Sequence, residues 1–298
     1  MLAWAAQAVA PGARITLAAG LREGGNPWLL RLERAGKGYR AVVKTGDPAS
    51  ARDRMQLRTQ VAALALARDR GLPVPRVIAA DLSGSQAGVL ALVTSVLPGS
   101  SAIPRMMPAG RARQLGAAAA AIHAVALTPR PDLPRRTRPL ADMDFAAWRR
   151  SAGTTPLLAR AERRVSELPV PGGAAVLVHG DLWQGNTMWS AGVCTGVIDW
   201  DAAGAGSPGI DLGTLRLDAA LYYGPGAAGQ ILGGWRQAAG REPEHVAYWD
   251  IVAALTTVGD MARCLPPLLD HHRPDLDARI LTARRDAFLR AALSQLDA

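Results

Sequence analysis

A polar loop in the second half of the chain reads HGDLWQGN, residues His179–Asn186, and lies between two apolar segments. Within it, Asp181 stands five residues before Asn186. A later apolar segment, Val197–Ile198, is followed at once by Asp199. In phosphoryl transfer, one aspartate orients the attacking hydroxyl and accepts its proton, while an asparagine and a second aspartate supply hard oxygen ligands to magnesium. Asp181 is therefore a candidate for the catalytic base, and Asn186 and Asp199 are candidates for magnesium ligands.

Phosphoryl transfer from a nucleotide also needs a cation on the phosphates, and Lys44 is the candidate for this role. It directly follows the apolar segment Ala41–Val43. The chain has 34 basic residues, of which only Lys37 and Lys44 are lysines. A coding bias toward arginine explains the excess, and it makes each of the two lysines worth attention. The chain has no GxxxxGK[ST] sequence, which excludes a P-loop site.

The composition indicates a globular protein and excludes several other classes. The chain has 298 residues, of which 49% are hydrophobic and 20% charged, and its net charge is +9. Two cysteines are too few for a disulfide scaffold or a four-cysteine zinc site. Basic residues dominate residues 1–178 and acidic ones residues 179–298. This split argues against a uniform nucleic-acid-binding face and favours an anionic ligand for the first part and cations for the second.

The N-terminus and the apolar segments predict no association with membranes. Residues 1–10 are apolar but lack the basic start of a signal peptide, and no apolar segment reaches the length of a membrane span. We therefore expect a cytoplasmic protein, either a monomer or a dimer. A basic protein that binds RNA or DNA stays an alternative, but the Arg-rich segment Arg130–Arg138 contains prolines and no aromatic residues, which favours a solvated loop.

Periodicity and turn residues predict a small sheet first and helices afterwards. The first part has one predicted helix, 50–70, and five predicted strands: 15–19, 28–33, 39–44, 77–80 and 89–93. The second part has three short predicted strands at 176–179, 187–190 and 193–200. Its predicted helices are 111–125, 211–222, 227–239, 243–265 and 275–296. Residues Gly204–Gly209 match GxGxxG, but Pro208 and the helices that follow favour a connecting loop over a dinucleotide site.

The loop and its surroundings resemble the aminoglycoside phosphotransferase family, which is related to choline and fructosamine kinases and, more distantly, to protein kinases. The resemblance spans about residues 12–222. It rests on the His-Gly-Asp-x-x-x-x-Asn loop, on Ile198-Asp199-Trp200, and on the shorter matches Gly71–Val77, Leu97–Gly99, Leu115–His123 and Ile210–Leu212. It implies an α+β, protein-kinase-like fold of two lobes, with a small antiparallel-sheet lobe at 1–96 and a larger, mainly helical lobe at 97–298.

The resemblance also implies roles for residues outside the loop. Lys44 would hold the phosphates of ATP, and the Gly24-Gly25 turn would cover them. Thr94-Ser95-Val96 would be the hinge that contacts the purine. Asp211 would brace the catalytic loop, and we interpret His179 as a residue that orients it. Kinases of this kind pair the lysine with a helix glutamate, and counting back from Pro73 places Gln60 at that position; Asp53 lies two turns earlier.

The resemblance implies an enzyme that transfers the γ-phosphoryl group of ATP, with magnesium, to a hydroxyl of a small cationic molecule. We expect the acceptor to be an aminoglycoside, an amino sugar or a related amino-alcohol. Whether the phosphoryl donor is ATP or GTP stays open. A fructosamine-kinase-like enzyme acting on glycated amines and a nucleotide-binding pseudokinase are the alternatives. Weak candidates for acceptor contacts are Trp183, Trp249, Asp250 and Asp260, the last two being expected on one helix face.

Overall fold

The computed structural model describes residues 1–22 and 25–298. Its contacts divide the chain into two compact units. The first comprises Met1–Pro98 and Gly196–Asp201, and the second comprises Gly99–Thr195 and Ala202–Ala298.

The first unit is built on a five-stranded antiparallel sheet with the strand order β1-β2-β3-β5-β4. The strands are β1 (Arg14–Gly20), β2 (Trp28–Arg34), β3 (Lys37–Gly46), β4 (Val77–Asp81) and β5 (Leu90–Ser95). Two helices accompany them, α1 (Leu2–Val9) and α2 (Ala51–Asp69). All five predicted strands and the predicted helix are present, which confirms the α+β prediction for this part of the chain.

Successive side chains of a strand point to opposite faces of the sheet, and apolar side chains are buried on both faces. Leu30 and Leu32 of β2 pack with residues of α1 in one cluster of buried side chains. Leu90 and Leu92 of β5 pack with Leu57 of α2 in another. Helix α2 begins at Ser50, whose hydroxyl accepts the Asp53 N–H at 3.1 Å, which is the usual N-cap interaction.

The second unit is mainly helical. Its first helices are α3 (Arg111–His123), α4 (Phe145–Ala152) and α5 (Pro156–Ser166). Its later helices are α6 (Gly209–Tyr223), α7 (Pro225–Ala239), α8 (Val246–Ala254), α9 (Pro266–Asp270) and α10 (Ala278–Leu296). Four short strands accompany them: β6 (Val176–Val178), β7 (Thr187–Ser190), β8 (Val193–Val197) and β9 (Gly204–Gly206). Strands β6 and β9 pair antiparallel, and β7 pairs with β8.

Two predictions for this unit are wrong. The segment Gly204–Gly206, predicted as a loop, forms strand β9 against β6, because its small residues fit a fully buried position beside the chain at Pro134–Arg136. The single helix predicted for 243–265 ends at Ala254. Beyond it, the hydroxyl of Thr257 donates a hydrogen bond to the Ala254 carbonyl, and Gly259 N donates to Gly153 O at 2.8 Å. These bonds replace the ones that a continuing helix would make.

Candidate active site

The loop that contains Asp181 follows strand β6 and bends sharply at Gly180. This residue has φ +80°, and a Cβ atom there would collide with the carbonyl of Ala202. Only glycine adopts this conformation at so close an approach. The bend turns the chain out of the strand just before Asp181, which is the first residue of the loop with a partly exposed side chain.

Asp211 on α6 holds the start of this loop. Its carboxylate is fully buried and accepts the backbone N–H groups of His179 and Gly180, both at 2.8 Å. It also lies 3.1 Å from Nε2 of His123, whose Nδ1 accepts the Trp235 indole N–H at 3.0 Å. Since the indole N–H only donates, Nε2 of a neutral His123 bears the proton and donates to Asp211. Burial would raise the pKa of Asp211, but these hydrogen bonds hold it below its ordinary value.

Asp181 and Asn186 meet at the far end of the loop. The Asn186 amide nitrogen donates to the backbone carbonyl of Asp181 at 2.9 Å and to its carboxylate Oδ2 at 3.1 Å. Asn186 is fully buried, and its Oδ1 has no hydrogen-bond partner among the described residues. The Asp181 backbone N–H lies 3.3 Å from Nδ1 of the buried His179. The structure therefore brings together the two loop residues that the spacing singled out, with His179 and Asp211 supporting them.

A second anchor of the loop was missed by the sequence reasoning. Asp218, also on α6, accepts the Gln184 backbone N–H at 3.0 Å in the middle of the loop. Asp211 and Asp218 are seven residues apart, about two turns, so they lie on the same helix face. The spacing of these two acids on a largely apolar helix, which also contains Arg216, was the available signal. Burial raises the pKa of Asp218 to about 6, although hydrogen bonds from Tyr222 and Gln184 act in the opposite direction.

The raised pKa of Asp218 predicts a dependence of stability on pH. Between its ordinary value of 3.8 and about 6, the folded protein retains a proton that the unfolded chain releases. The free energy of unfolding therefore falls as the pH rises through this window. Asp218→Asn should remove about 2 kcal/mol of this fall between pH 4.5 and pH 7, measured by urea denaturation at both pH values. The exposed Asp132→Asn is the control, and an equal pH slope in Asp218→Asn and wild type would contradict the assignment.

In the first unit, Lys44 is held by two carboxylates. Its ammonium donates to Asp199 Oδ1 at 2.6 Å and to Asp201 Oδ2 at 2.7 Å. Burial lowers the pKa of Lys44, but the attraction of the two carboxylates keeps it above its ordinary value. Arg22 donates to the other Asp199 oxygen, Oδ2, at 3.1 Å. Lys44 and Asp199 were predicted site residues; Asp201 and Arg22 were not. The Asp-Trp-Asp repeat was the signal for Asp201, and the sequence offers none for Arg22.

The prediction that Gln60 interacts with Lys44 is wrong. Gln60 is buried in α2, and its Oε1 has no hydrogen-bond partner among the described residues. Lys44 pairs instead with Asp199 and Asp201, because an ammonium group gains more from a carboxylate than from a neutral amide. Asp53, the other residue considered, accepts hydrogen bonds from Asp47 N and Ser50 Oγ, both at 2.9 Å.

The remaining residues that are predicted to bind the nucleotide lie in the sheet and in its first turn. Gly25 lies against the ring of Trp28, whereas Gly24 is outside the described residues. Thr94 and Ser95 end strand β5 in register with Val42 and Ala41, and Val96 follows them, partly buried. Roles for these residues in binding a nucleotide stay predictions.

The structure contradicts two of the four acceptor candidates. Trp249 is 2% exposed and packs so closely on Gly209 that no Cβ fits there, so its ring faces cannot stack on a ligand. Asp250 is equally buried and accepts two hydrogen bonds from Arg216, at 2.9 and 2.8 Å, which neutralise its charge. Because α8 ends at Ala254, Asp250 and Asp260 do not share a helix face.

The other two acceptor candidates are accessible. Asp260 is exposed and caps the turn Met261–Cys264 by accepting the Ala262 N–H at 3.0 Å. Trp183 is partly buried, and its ring meets that of His271 edge-on, with 4.9 Å between the centroids. The segment around His271 therefore contacts the loop that contains Asp181.

Comparison with solved structures identifies the fold. The macrolide 2′-phosphotransferase from Brachybacterium faecium matches 94% of this chain and 91% of its own, with a TM-score of 0.57 and 19% identity. Spectinomycin phosphotransferase, solved in complex with ADP and spectinomycin, matches 96% of this chain and 93% of its own, with a TM-score of 0.56 and 14% identity. At such identities the likeness shows the fold alone, and it confirms the predicted kinase-like fold.

Sequence comparison identifies the family. The phosphotransferase enzyme family model matches residues 21–255, which is more than half of the chain, so the chain belongs to this family. Viomycin phosphotransferase from Streptomyces vinaceus is 39% identical over 83 residues. That match spans 26% of this chain and 28% of the relative, so the two are alike over about a quarter of their lengths. Within the described residues, no helix is long and apolar enough to cross a membrane.

Proposed function

We propose that the protein transfers the γ-phosphoryl group of ATP, with magnesium, to a hydroxyl of a small cationic molecule. In this proposal Asp181 accepts the proton of the attacking hydroxyl, Asn186 and Asp199 bind magnesium, and Lys44 neutralises phosphate charge. Such a reaction is accelerated mainly by positioning and charge neutralisation. The proposal agrees with the family of the chain and with the ADP found in the spectinomycin enzyme.

One observation supports the proposal above all others: the Asp181–Asn186 pair is fixed in a loop that a buried carboxylate anchors. Asn186 is oriented by two hydrogen bonds from its amide nitrogen to Asp181. The same bonds leave the Asp181 side chain partly exposed at the tip of the loop. An oriented carboxylate that stays accessible is what a general base for a bound hydroxyl requires.

The residues present fit a magnesium ion. A buried amide oxygen without a hydrogen-bond partner is costly, and Asn186 Oδ1 is such an atom among the described residues. A hard cation takes oxygen ligands of this kind. Asp199 offers carboxylate oxygens to such an ion, and in the structure these oxygens contact the cationic side chains of Lys44 and Arg22. Within the described residues no cluster of three His, Cys, Asp or Glu side chains resembles a preformed metal site, which agrees with a metal that arrives with a nucleotide.

The acidic surplus of residues 179–298 supports a cationic acceptor. Aminoglycosides, amino sugars and related amino-alcohols are the first candidates, and glycated amines are the second. A pseudokinase is the remaining alternative, since Gln60 stands where a helix glutamate is expected.

A phosphorylation screen tests the proposed function. Purified protein is incubated with ATP or GTP and magnesium, and with a panel of aminoglycosides, amino sugars, macrolides and glycated amines. We expect one acceptor class to gain a single phosphoryl group, measured by mass spectrometry, together with stoichiometric ADP. Omission of magnesium should abolish the product. Binding of ADP without turnover on any acceptor would contradict the proposal and favour the pseudokinase.

A further inference from the structure

Lys44 contacts a second carboxylate to which the proposed function gives no role. Its ammonium lies 2.7 Å from Asp201 Oδ2 and 2.6 Å from Asp199 Oδ1, with all three side chains largely buried. The residue expected to hold Lys44, Gln60, is neutral, and its Oε1 has no partner among the described residues. The carboxylates within hydrogen-bond distance of Lys44 therefore come from the segment after β8, whereas Asp53 of α2 interacts with Lys44 at longer range.

The backbone after β8 has a conformation that directs the carboxylates of Asp199 and Asp201 toward the Lys44 ammonium. Asp199 has φ +66°, a left-handed conformation that is uncommon for a residue with a side chain. The fully buried Trp200 donates its indole N–H to Val197 O at 3.0 Å. Together they fold the chain tightly, so that the two aspartates that flank Trp200 converge on the ammonium of Lys44.

Asp201 is the second carboxylate within hydrogen-bond distance of Lys44, and it is not a proposed magnesium ligand. Asp199 already accepts a hydrogen bond from Arg22 and is the proposed magnesium ligand, so its oxygens have other partners. Asp53 is bound to Ser50 Oγ and Asp47 N at the start of α2. A lysine side chain has four rotatable bonds and loses its placement easily without an anionic partner.

We infer that Asp201 is a positioning residue that orients Lys44. The inference rests on the proposed function for the role of Lys44. The hydrogen bond between Lys44 and Asp201 is an observation that does not depend on that function.

The first test is kinetic and uses the intact protein with magnesium and ATP, with ADP release in the absence of an acceptor as the measured activity. Asp201→Asn should lower the turnover about tenfold, because an orienting charge-assisted hydrogen bond is lost. Its affinity for ADP with magnesium, measured by calorimetry, should change less than about threefold, since the removed negative charge also repelled phosphate. Asp201→Glu should retain most of the turnover. Asp69→Asn, an exposed charge removal at the end of α2, is the matched control.

An Asp201→Asn turnover equal to that of Asp69→Asn would overturn the inference.

The second test needs neither acceptor nor nucleotide, so it separates this inference from the proposed function. With only two lysines in the chain, protein labelled with ¹⁵N-lysine has two ammonium signals, and the exposed Lys37 serves as the internal reference. Hydrogen exchange of the Lys44 ammonium should be about tenfold faster in Asp201→Asn than in Asp69→Asn. Equal exchange rates would overturn the inference. A failed acceptor screen with this NMR result intact would contradict the proposed function alone.

Discussion

Replacing Asp181 with asparagine is expected to lower the turnover on the identified acceptor by about a thousandfold. The amide cannot accept the proton of the attacking hydroxyl, and general-base catalysis contributes about 10²–10⁴-fold. The loop should keep its shape, because the asparagine oxygen can still accept the Asn186 N–H and the backbone bond at 2.9 Å is unaffected. The turnover is measured at saturating ATP, magnesium and acceptor.

The control for this prediction is the affinity for ADP with magnesium, which should stay within about threefold of wild type because a loss confined to turnover indicates a group that acts in the transition state. Asp132→Asn, an exposed aspartate in the same unit, should leave both quantities unchanged. Turnover of Asp181→Asn within tenfold of wild type would exclude Asp181 as the base. The proposed mechanism would then be wrong, whatever the acceptor.

The second large effect is expected on stability, at the buried pair of Arg216 and Asp250. Their side chains are 10% and 3% exposed, and they form two hydrogen bonds. Asp250→Ala would leave the Arg216 guanidinium buried without its counter-charge and should lower the free energy of unfolding by about 3–5 kcal/mol. Urea denaturation followed by circular dichroism measures the loss.

Two comparisons show whether the loss comes from an unpaired charge. Burial holds the pKa of Asp250 above its ordinary value despite Arg216, so desolvation outweighs the attraction within the pair. The double variant Arg216→Met with Asp250→Leu should therefore recover most of the stability. The exposed pair of Arg236 and Glu242 is the control, and Glu242→Ala should cost less than about 1 kcal/mol. If the double variant were less stable than Asp250→Ala, the pair itself would be stabilising.

The contact between Asp181 and Asn186 could be predicted because it is local in sequence. Five residues separate Asp181 from Asn186, so a tight turn brings them together wherever the rest of the chain lies. The strands of the first unit are local in the same sense, since an alternating apolar pattern specifies a strand that buries one face. Trp249 and Asp250 were assigned wrongly, because a helical sequence does not show which residues face a neighbouring helix and which face solvent.

The acidic residues of the second unit show most clearly which contacts could not be predicted from the sequence. Of Asp211, Asp218 and Asp250, all on later helices, only Asp211 was given a role at the loop from the sequence, through the family resemblance. The structure places the first two against the N–H groups of the loop and the third against Arg216. Their partners lie 31 to 34 positions away in the chain, and such contacts depend on how the helices pack.

By itself, the sequence determined the strands of the first unit, the identity of the loop residues and the choice of Lys44. These follow from periodicity, spacing and residue chemistry, which act over a few residues. Only the tertiary structure decided that Lys44, 155 positions from Asp199, pairs with Asp199 and Asp201 and not with Gln60. A buried ammonium pairs with the carboxylates that the folded chain brings within hydrogen-bond distance, and the packing of distant segments determines which ones these are.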